Sequence, residues 1–355
     1  MKIRRIIYRI LFLYLLVFGI FITSCMKDDF RPITEFNTNS RGVFIVCEGN
    51  FMYGNASLSY YSPLEKKVEN TVFIRANGIP LGDVAQSLTI YDKTAWIIVN
   101  NSGKVYAIDI DNFKIKGKIT DLVSPRYMRF INPQKAYITD LYAKNIYVVN
   151  PQDYSLTKTI NIDDGSGKYY NHSSEQIVVF ENKLFINTWS YDNKILVIDT
   201  NSDEVIDSIE VFKQPRKIVA DKEKNLWVLS DGGSDYSDYK GDAGITKINM
   251  QTHKIEQSFV LPNKDNITDM QINKTGDTIF YVNGNVYRFP INATSLPQKE
   301  WINVGCKTIY GIGQDPYNYD FYISDAVDYM QSGVIYRYNS NLHCVDSFAV
   351  GIIPN

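Results

Sequence analysis

Residues 184–220 read LFINTWSYDNKILVIDTNSDEVIDSIEVFKQPRKIVA. An apolar run over 184–188 ends on polar Thr188, and a second over 194–199 closes on Asp199. The polar turn Asp199-Thr200-Asn201-Ser202-Asp203 follows. An Asp at its head can accept hydrogen bonds from backbone N–H groups downstream and so start a tight turn. Residues 205–211 then alternate in polarity as a strand does, and a fourth extended run starts at Pro215 and reaches Ala220.

The same pattern recurs from residue 43 onward. Runs ending on a polar residue span 95–100, 136–140 and 226–231, and runs closing on Asp or Asn span 105–109, 146–150, 245–249 and 334–339. The closing positions Asp109, Asn150, Asp199, Asn249, Pro290 and Asn339 are 41, 49, 50, 41 and 49 residues apart. A four-stranded unit of about 40–50 residues is the signature of a β-propeller blade. The continuous apolar character of runs such as Lys194-Ile195-Leu196-Val197-Ile198-Asp199 fits sheets covered on both faces.

Seven units are expected, with second strands beginning near Val43, Ala95, Ala136, Leu184, Leu226, Ile279 and Phe321. The first unit lacks its innermost strand, and Ile352-Ile353-Pro354-Asn355 matches the start of one. The reading is all-β: one seven-bladed β-propeller over residues 42–355, its N- and C-terminal strands completing a blade together. That closure removes sheet edges. It also replaces the two domains that the length alone suggests.

Composition narrows function. Lys+Arg 37 against Asp+Glu 39 gives a formal net charge of -2, without the basic excess of a nucleic-acid binder. Basic Lys2, Arg4 and Arg5 precede an apolar run over residues 10–22, the length of a signal-peptide core and short for a membrane span. Ile22-Thr23-Ser24-Cys25 resembles a bacterial lipobox, and Met26-Lys27-Asp28-Asp29 an acidic surface-sorting tag. Residues 1–24 are therefore expected to be a lipoprotein signal peptide, and residues 25–41 a lipidated Cys25 with a flexible tether. The expected location is the cell surface, lipid-anchored in the outer membrane. Of the other cysteines, Cys47, Cys306 and Cys344 are expected to be small buried side chains, with at most one bridge among them.

Loops of a propeller alternate between its two ends. Short polar turns at 92–93, 132–134, 181–182, 200–202 and 221–223 fall on one face. Every long insertion, at 48–57, 75–83, 162–174, 230–244 and 325–333, falls on the other. These insertions carry Phe51, Met52, Tyr53, Asn55, Tyr169, Tyr170, His172, Tyr236, Tyr239, Tyr329 and Met330, and shorter loops at that end add Arg126, Tyr142, Trp189, Tyr191, Arg216 and Tyr310. Aromatic side chains with polar tips give stiff contact area at low entropic cost. The set predicts a broad binding face for one large, partly apolar ligand.

Catalytic signatures are weak. His172, His253 and His343 are scattered, and no G-x-S-x-G elbow occurs. Gly165-Ser166-Gly167-Lys168 lacks the spacing, the following Ser or Thr and the helix of a phosphate loop. Asp231, Asp235, Asp238 and Asp242 crowd one loop without EF-hand spacing; a solvated acidic loop is favoured over a Ca²⁺ site. Glu48, Asp83, Asp140 and Glu175 are the acidic candidates for a channel metal of the kind used by propeller lactonases. A binding protein without cofactor or catalytic residues is expected, with a metal-dependent propeller hydrolase as the enzymatic alternative.

Residues 42–55 (Gly42-Val43-Phe44-Ile45-Val46-Cys47-Glu48-Gly49-Asn50-Phe51-Met52-Tyr53-Gly54-Asn55), 75–87 and 187–194 carry a resemblance. They are similar to the YncE-like, seven-bladed surface lipoproteins of BtuG type that capture cobalamin (vitamin B12), and the similarity runs over essentially all of residues 42–355. It implies capture of cobalamin or another corrinoid outside the cell and its transfer to a TonB-dependent outer-membrane transporter. A binding lipoprotein for another nutrient, a glycan or a different tetrapyrrole, is the alternative within the same class. The membrane is reached only through the lipid on Cys25, and no nucleic-acid partner is expected.

Overall fold

A computed structural model describes residues 42–166, 172–264, 266–305 and 307–355. The expected signal peptide, Cys25, tether, Tyr169, Tyr170 and Cys306 lie outside these residues. The described chain forms seven antiparallel sheets. The blade that starts with Ala85–Tyr91 shows the plan: that inner strand is followed outward by Thr94–Val99, Lys104–Asp109 and Ile115–Ile119. We number it blade 2. Blades 3, 4, 5 and 7 repeat the plan from inner strands Pro125–Asn132, Ser174–Phe180, Pro215–Ala220 and Ile309–Gln314. Blade 6 has three strands, from Met270–Ile272 to Asn285–Pro290.

Blade 1 contains Val43–Cys47, Ser57–Ser62 and Lys67–Glu69. Its inner edge is taken by the last residues of the chain: Asn355 N–H donates to Val46 O at 2.7 Å and Val46 N–H to Asn355 O at 3.3 Å. Glu48 N–H also donates to Ile353 O at 2.9 Å. The two ends thus complete one blade, as the sequence pattern predicts.

The apolar runs are buried on both faces because alternate residues serve different neighbours. In Lys183–Thr188, Leu184 and Ile186 pack toward blade 3 while Phe185 packs toward blade 5. Seven apolar clusters result, one between each pair of adjacent blades. The seventh joins Ile45 and Tyr61 of blade 1 to Tyr322, Ile335 and Val350 of blade 7 and closes the ring.

The turn chemistry also follows the sequence. Asp199 Oδ1 accepts from the N–H groups of Asn201 (2.8 Å) and Ser202 (2.9 Å). Asp109, Asn150, Asn249 and Asn339 do the same at the equivalent turns. Three features depart from the expectation. Residues 72–77 form a short α-helix capped by Gly78, so the insertion expected from residue 75 begins helical. In blade 6 the irregular segment 291–302 lies where other blades place an outer strand, and it touches the sheet at Val286 and Ile302. Cys344 is exposed, contrary to the expectation of burial, because it starts an outermost strand; Cys47 is buried, and both are free thiols.

Candidate functional site: an axial funnel beneath the long loops

The inner strands carry an irregularity at one recurrent position. The register of each against its outer neighbour slips at Gln86 in blade 2, Arg126–Tyr127 in blade 3, Glu175–Gln176 in blade 4, Arg216 in blade 5 and Tyr310 in blade 7. A bulge inserts an unpaired residue and re-aims its side chain. Gln86, Arg126, Tyr127, Glu175, Arg216 and Tyr310 accordingly line one funnel on the axis, together with Glu48, Trp189, Lys217, Thr268 and Asn355. The cavity at its core is small, about 40 Å³. Two residues ahead of Gln86 and Asn355, the β-branched Val84 and Ile353 hold φ 56 and 52. Such residues are rarely left-handed, and the conformation turns the chain sharply into the funnel.

The funnel is charged but internally paired. Arg126 Nε donates to Glu175 Oε1 at 2.8 Å, and its Nη1 to Gln86 Oε1. Burial disfavours the Arg126 charge, yet Glu175 and its other neighbours overcome this and hold the guanidinium above its ordinary value. Lys217 Nζ lies 3.3 Å from Asp269 Oδ1. Burial opposes its charge too, and Asp269 outweighs it so that the ammonium is also held up. Arg216 Nε donates to Thr268 O at 3.1 Å, with Nη1 3.6 Å from Asp231 Oδ2. Its guanidinium lies 5.4 Å from the ring centre of Trp189, whose Nε1–H donates to the same Asp231 oxygen at 3.1 Å.

Glu48 is different. It is 7% exposed, and its Oε1 has no hydrogen-bond partner. Burial raises its carboxyl above the ordinary value of 4.5; Arg126 and a hydrogen bond from Tyr310 pull the other way and lose. Burial also raises the Tyr310 hydroxyl, and Glu48 adds to the effect. Thr268 Oγ1 is likewise buried without a partner.

A second cleft of about 360 Å³ opens from the funnel across blades 5 to 7, sharing Arg216, Thr268 and Tyr310 and adding Lys264, Asn266 and Tyr329. Aromatic groups stand on either side. Phe51 (63% exposed), Met52 and Tyr53 project from blade 1 beside Tyr329 and Met330 of blade 7. Asn50 joins these two loops by donating from Nδ2 to Tyr329 O at 2.6 Å. The blade 1 loop is braced further by Met52 N–H to Asp83 Oδ2 at 2.9 Å and Asn50 N–H to Asn55 Oδ1 at 2.8 Å. It leaves the strand at Gly49 (φ 74), where a Cβ would lie 2.7 Å from Ala56 N. Across the ring, Tyr191 and Tyr239 pack 6.0 Å apart, Lys213 lies 4.5 Å over Tyr239, and Tyr236 is fully exposed.

The structure thus brings Arg126, Trp189, Arg216 and Tyr310 to the funnel and Phe51, Tyr53, Tyr191, Tyr236, Tyr239 and Tyr329 to the loops around it. Tyr142 is half-exposed at the tip of a blade 3 loop, and Asn55 acts within its own loop. His172 corrects the expectation: it is 7% exposed, and Nδ1 meets Asp192 Oδ2 at 2.6 Å, so it clamps two loops and presents no ring to a ligand. Of the four acidic channel candidates, Glu48 and Glu175 reach the funnel. Asp140 is buried accepting backbone N–H groups, and Asp83 braces Met52 and Asn101. The expected solvated acidic loop holds for Asp235, Asp238 and Asp242, which are exposed, whereas Asp231 is partly buried and accepts from Trp189 Nε1–H. Among the described residues no group of three or more His, Cys, Asp or Glu is placed to hold a metal ion. Aromatic exposure is not confined to the loop face, since Tyr317 and Tyr319 are exposed in a turn at the opposite end.

The funnel residues Gln86, Tyr127, Lys217, Thr268 and Asn355 were not among the expected site residues. The repeated small residue or proline followed by a polar one, as in Ala85-Gln86, Pro125-Arg126, Ser174-Glu175, Pro215-Arg216 and Pro354-Asn355, is the signal that marks all of them but Thr268, which follows Ile267.

Fold and site together define a seven-bladed β-propeller with a charge-lined axial funnel beneath one loop-rich face. A family profile described as a domain of unknown function, DUF5074, matches residues 41–349, and the chain belongs to that family. Comparison with curated proteins finds no significant match. Solved structures share the scaffold. A quinonprotein alcohol dehydrogenase-like protein of Bacteroides thetaiotaomicron is 14% identical with TM-score 0.66, covering 89% of this chain and 77% of that one. The dihydro-heme d1 dehydrogenase NirN in complex with DHE is 11% identical with TM-score 0.60, covering 88% and 74%. A streptogramin B lyase is 13% identical with TM-score 0.57, covering 76% and 83%. At these identities the likeness is one of fold.

Proposed function

We propose that the protein is a non-enzymatic surface binding protein whose loop face takes a bulky, partly apolar ligand. The ligand we favour is a corrinoid such as cobalamin, captured at the outer membrane and passed to a TonB-dependent transporter. The observation that carries this reading is the pair of aromatic groups, from blades 1 and 7 and from blades 4 and 5, on opposite sides of a polar funnel. A wide, flat molecule edged with polar arms would cover its apolar faces on the tyrosines and satisfy its edge on Arg216, Asn266 and the funnel. The loops are braced before any ligand arrives, which lowers the ordering cost of binding.

Titration calorimetry with cyanocobalamin tests the reading. Saturable heat at micromolar concentration is expected; its absence overturns the corrinoid assignment, and saturable heat with a haem or an oligosaccharide instead would support the alternative nutrient. Truncating Tyr53 or Trp189 to Ala is expected to weaken binding by about tenfold, the equivalent of about 1.4 kcal/mol. Circular dichroism should show both variants folded. The DHE complex of NirN involves a different chain at 11% identity and lends the tetrapyrrole alternative a scaffold and no site.

A further inference from the structure

Blade 6 stops at its third strand, Asn285–Pro290. The chain beyond it reaches across to blade 5, where Gln257 Nε2 donates to Ala293 O at 3.2 Å. The seam between blades 5 and 6 is thereby left open on its outer flank as a groove of about 620 Å³. The outermost strand of blade 5, Ile255–Val260, contributes one wall and residues 294–298 another. Asn283 Nδ2 donates to Asn263 O at 3.0 Å and ties the end nearest the loop face. The groove shares no lining residue with the funnel or with the cleft beside it.

Its floor is aromatic. Tyr281 and Tyr287 stack with ring centres 5.2 Å apart and planes 18° from parallel. Tyr287 is half-buried and Tyr281 is 2% exposed. The Tyr281 hydroxyl has no hydrogen-bond partner among the described residues, yet unlike the Tyr322 hydroxyl it is not sealed off, and its residue lines the groove. Around the rim Ser258, Asn263, Thr294, Ser295 and Gln298 are exposed. None of these five side chains makes a hydrogen bond to another described residue. The polar residues of the blade turns differ, since their side chains are engaged by their own backbone, as at Asp199 and Asn249. Among the described residues no side chain lining the groove is charged.

That chemistry selects a ligand class. An ionic ligand would give up hydration in the groove with no counter-charge there to replace it. A purely apolar one would cover the hydroxyls and carboxamides and leave them unpaired. Hydroxyl and carboxamide groups each donate and accept. Their match is a neutral molecule rich in groups that do the same, with an apolar face for the tyrosines. A sugar ring has both, its hydroxyls around the edge and its C–H bonds on the faces. An extended peptide presents its backbone groups to a sheet edge instead. The volume lies in the range of ~300–1,000 Å³ usual for small-molecule sites and admits more than one sugar ring. We propose that the flank groove between blades 5 and 6 binds a neutral oligosaccharide, one ring lying against Tyr287 and one hydroxyl meeting that of Tyr281. The site is separate from the loop face and stands whether or not that face takes a corrinoid.

Saturation-transfer NMR on the purified protein tests this with maltotriose, cellotriose and mannotriose, against the acidic trisaccharide trigalacturonate and the tripeptide Pro-Pro-Tyr. At least one neutral trisaccharide is expected to respond several times more strongly than either control. Tyr281→Phe removes one hydroxyl and keeps the ring, and Asn263→Ala removes one exposed carboxamide. Each is expected to cut the response severalfold, with thermal melts showing both variants folded. Asn263→Ala keeps the test decisive if Tyr281→Phe fails to fold. Silence from all three neutral sugars overturns the inference, as does an equal response from trigalacturonate or the peptide. A sugar response that survives both substitutions overturns it too. If that surviving response falls with Tyr53→Ala, the sugar belongs to the loop face and the flank site is lost.

Discussion

A single carboxyl sets the electrostatic character of the axis. Burial raises Glu48 above 4.5, so between pH 4.5 and the folded-state value the folded protein keeps a proton there that the unfolded chain has released. The stability contributed by that proton is complete below pH 4.5 and is lost as the pH rises through the folded-state value. Glu48→Gln is therefore expected to melt higher than the wild type at neutral pH, with the gap shrinking as the pH falls toward 4.5. Thermal melts across that range check it, and a constant gap would contradict it. Tyr236 marks the opposite case. It is fully exposed, so Tyr236→Ala should leave the melting temperature unchanged, and any loss it causes in a ligand titration reports on binding. At this scale legibility divides by distance along the chain. The turn-forming Asp109 and Asp199 were legible because their partners lie two or three residues away. The isolation of Glu48 was not, because it depends on Ile353 pairing behind it and Tyr310 arriving from another blade.

At the scale of strands and turns, polar residues ending the second strands brace the loop face. Asp140, fully buried, accepts from the N–H groups of Val123 (3.2 Å), Ser124 (2.7 Å), Tyr142 (3.0 Å) and Ala143 (2.9 Å). Asp325 plays the same part in blade 7, accepting from Thr308 at 3.0 Å and Val327 at 2.9 Å. Asp140→Ala leaves several buried donors orphaned and should cost roughly 3 kcal/mol, measurable by urea denaturation. Deleting residues 353–355 removes the bonds of Ile353 and Asn355 to blade 1. At about 1 kcal/mol each the loss is roughly 3 kcal/mol, and the bared edge should cause concentration-dependent association visible by light scattering. The second strands were placed within a residue of where they lie because their apolar runs are unbroken, as in Lys135–Asp140. The helix over residues 72–77 and the irregular edge of blade 6 were not, since the packing of Val72 and Phe73 against blade 2 decides the first and tertiary contact of Trp301 with Phe280 and Phe321 the second.

Across the whole molecule, stability is distributed over seven equivalent seams with no single central core. Trp227 shows what one seam carries. It is fully buried between blades 5 and 6, lies edge-on to Phe289 with ring centres 5.4 Å apart, and donates from Nε1 to Asp221 at 2.8 Å. Trp227→Ala is expected to cost about 3–5 kcal/mol and, because every blade needs both neighbours, to lower one cooperative transition; a separate early transition confined to those blades would contradict that. The repeat made the ring readable, and loop lengths made the richer rim readable. The funnel at its centre was readable in part, through Arg126, Trp189, Arg216, Tyr310, Glu48 and Glu175; the rest stayed hidden because its lining comes one or two residues at a time from every blade.

The pairing of residues 353–355 with Val46 and Glu48 also constrains the order of events during synthesis. The ribosome delivers the partner of the first blade only after nearly all the remaining chain has emerged. Until then Val43–Cys47 has no partner on its inner side, and an unpaired strand edge is a template for pairing with other chains.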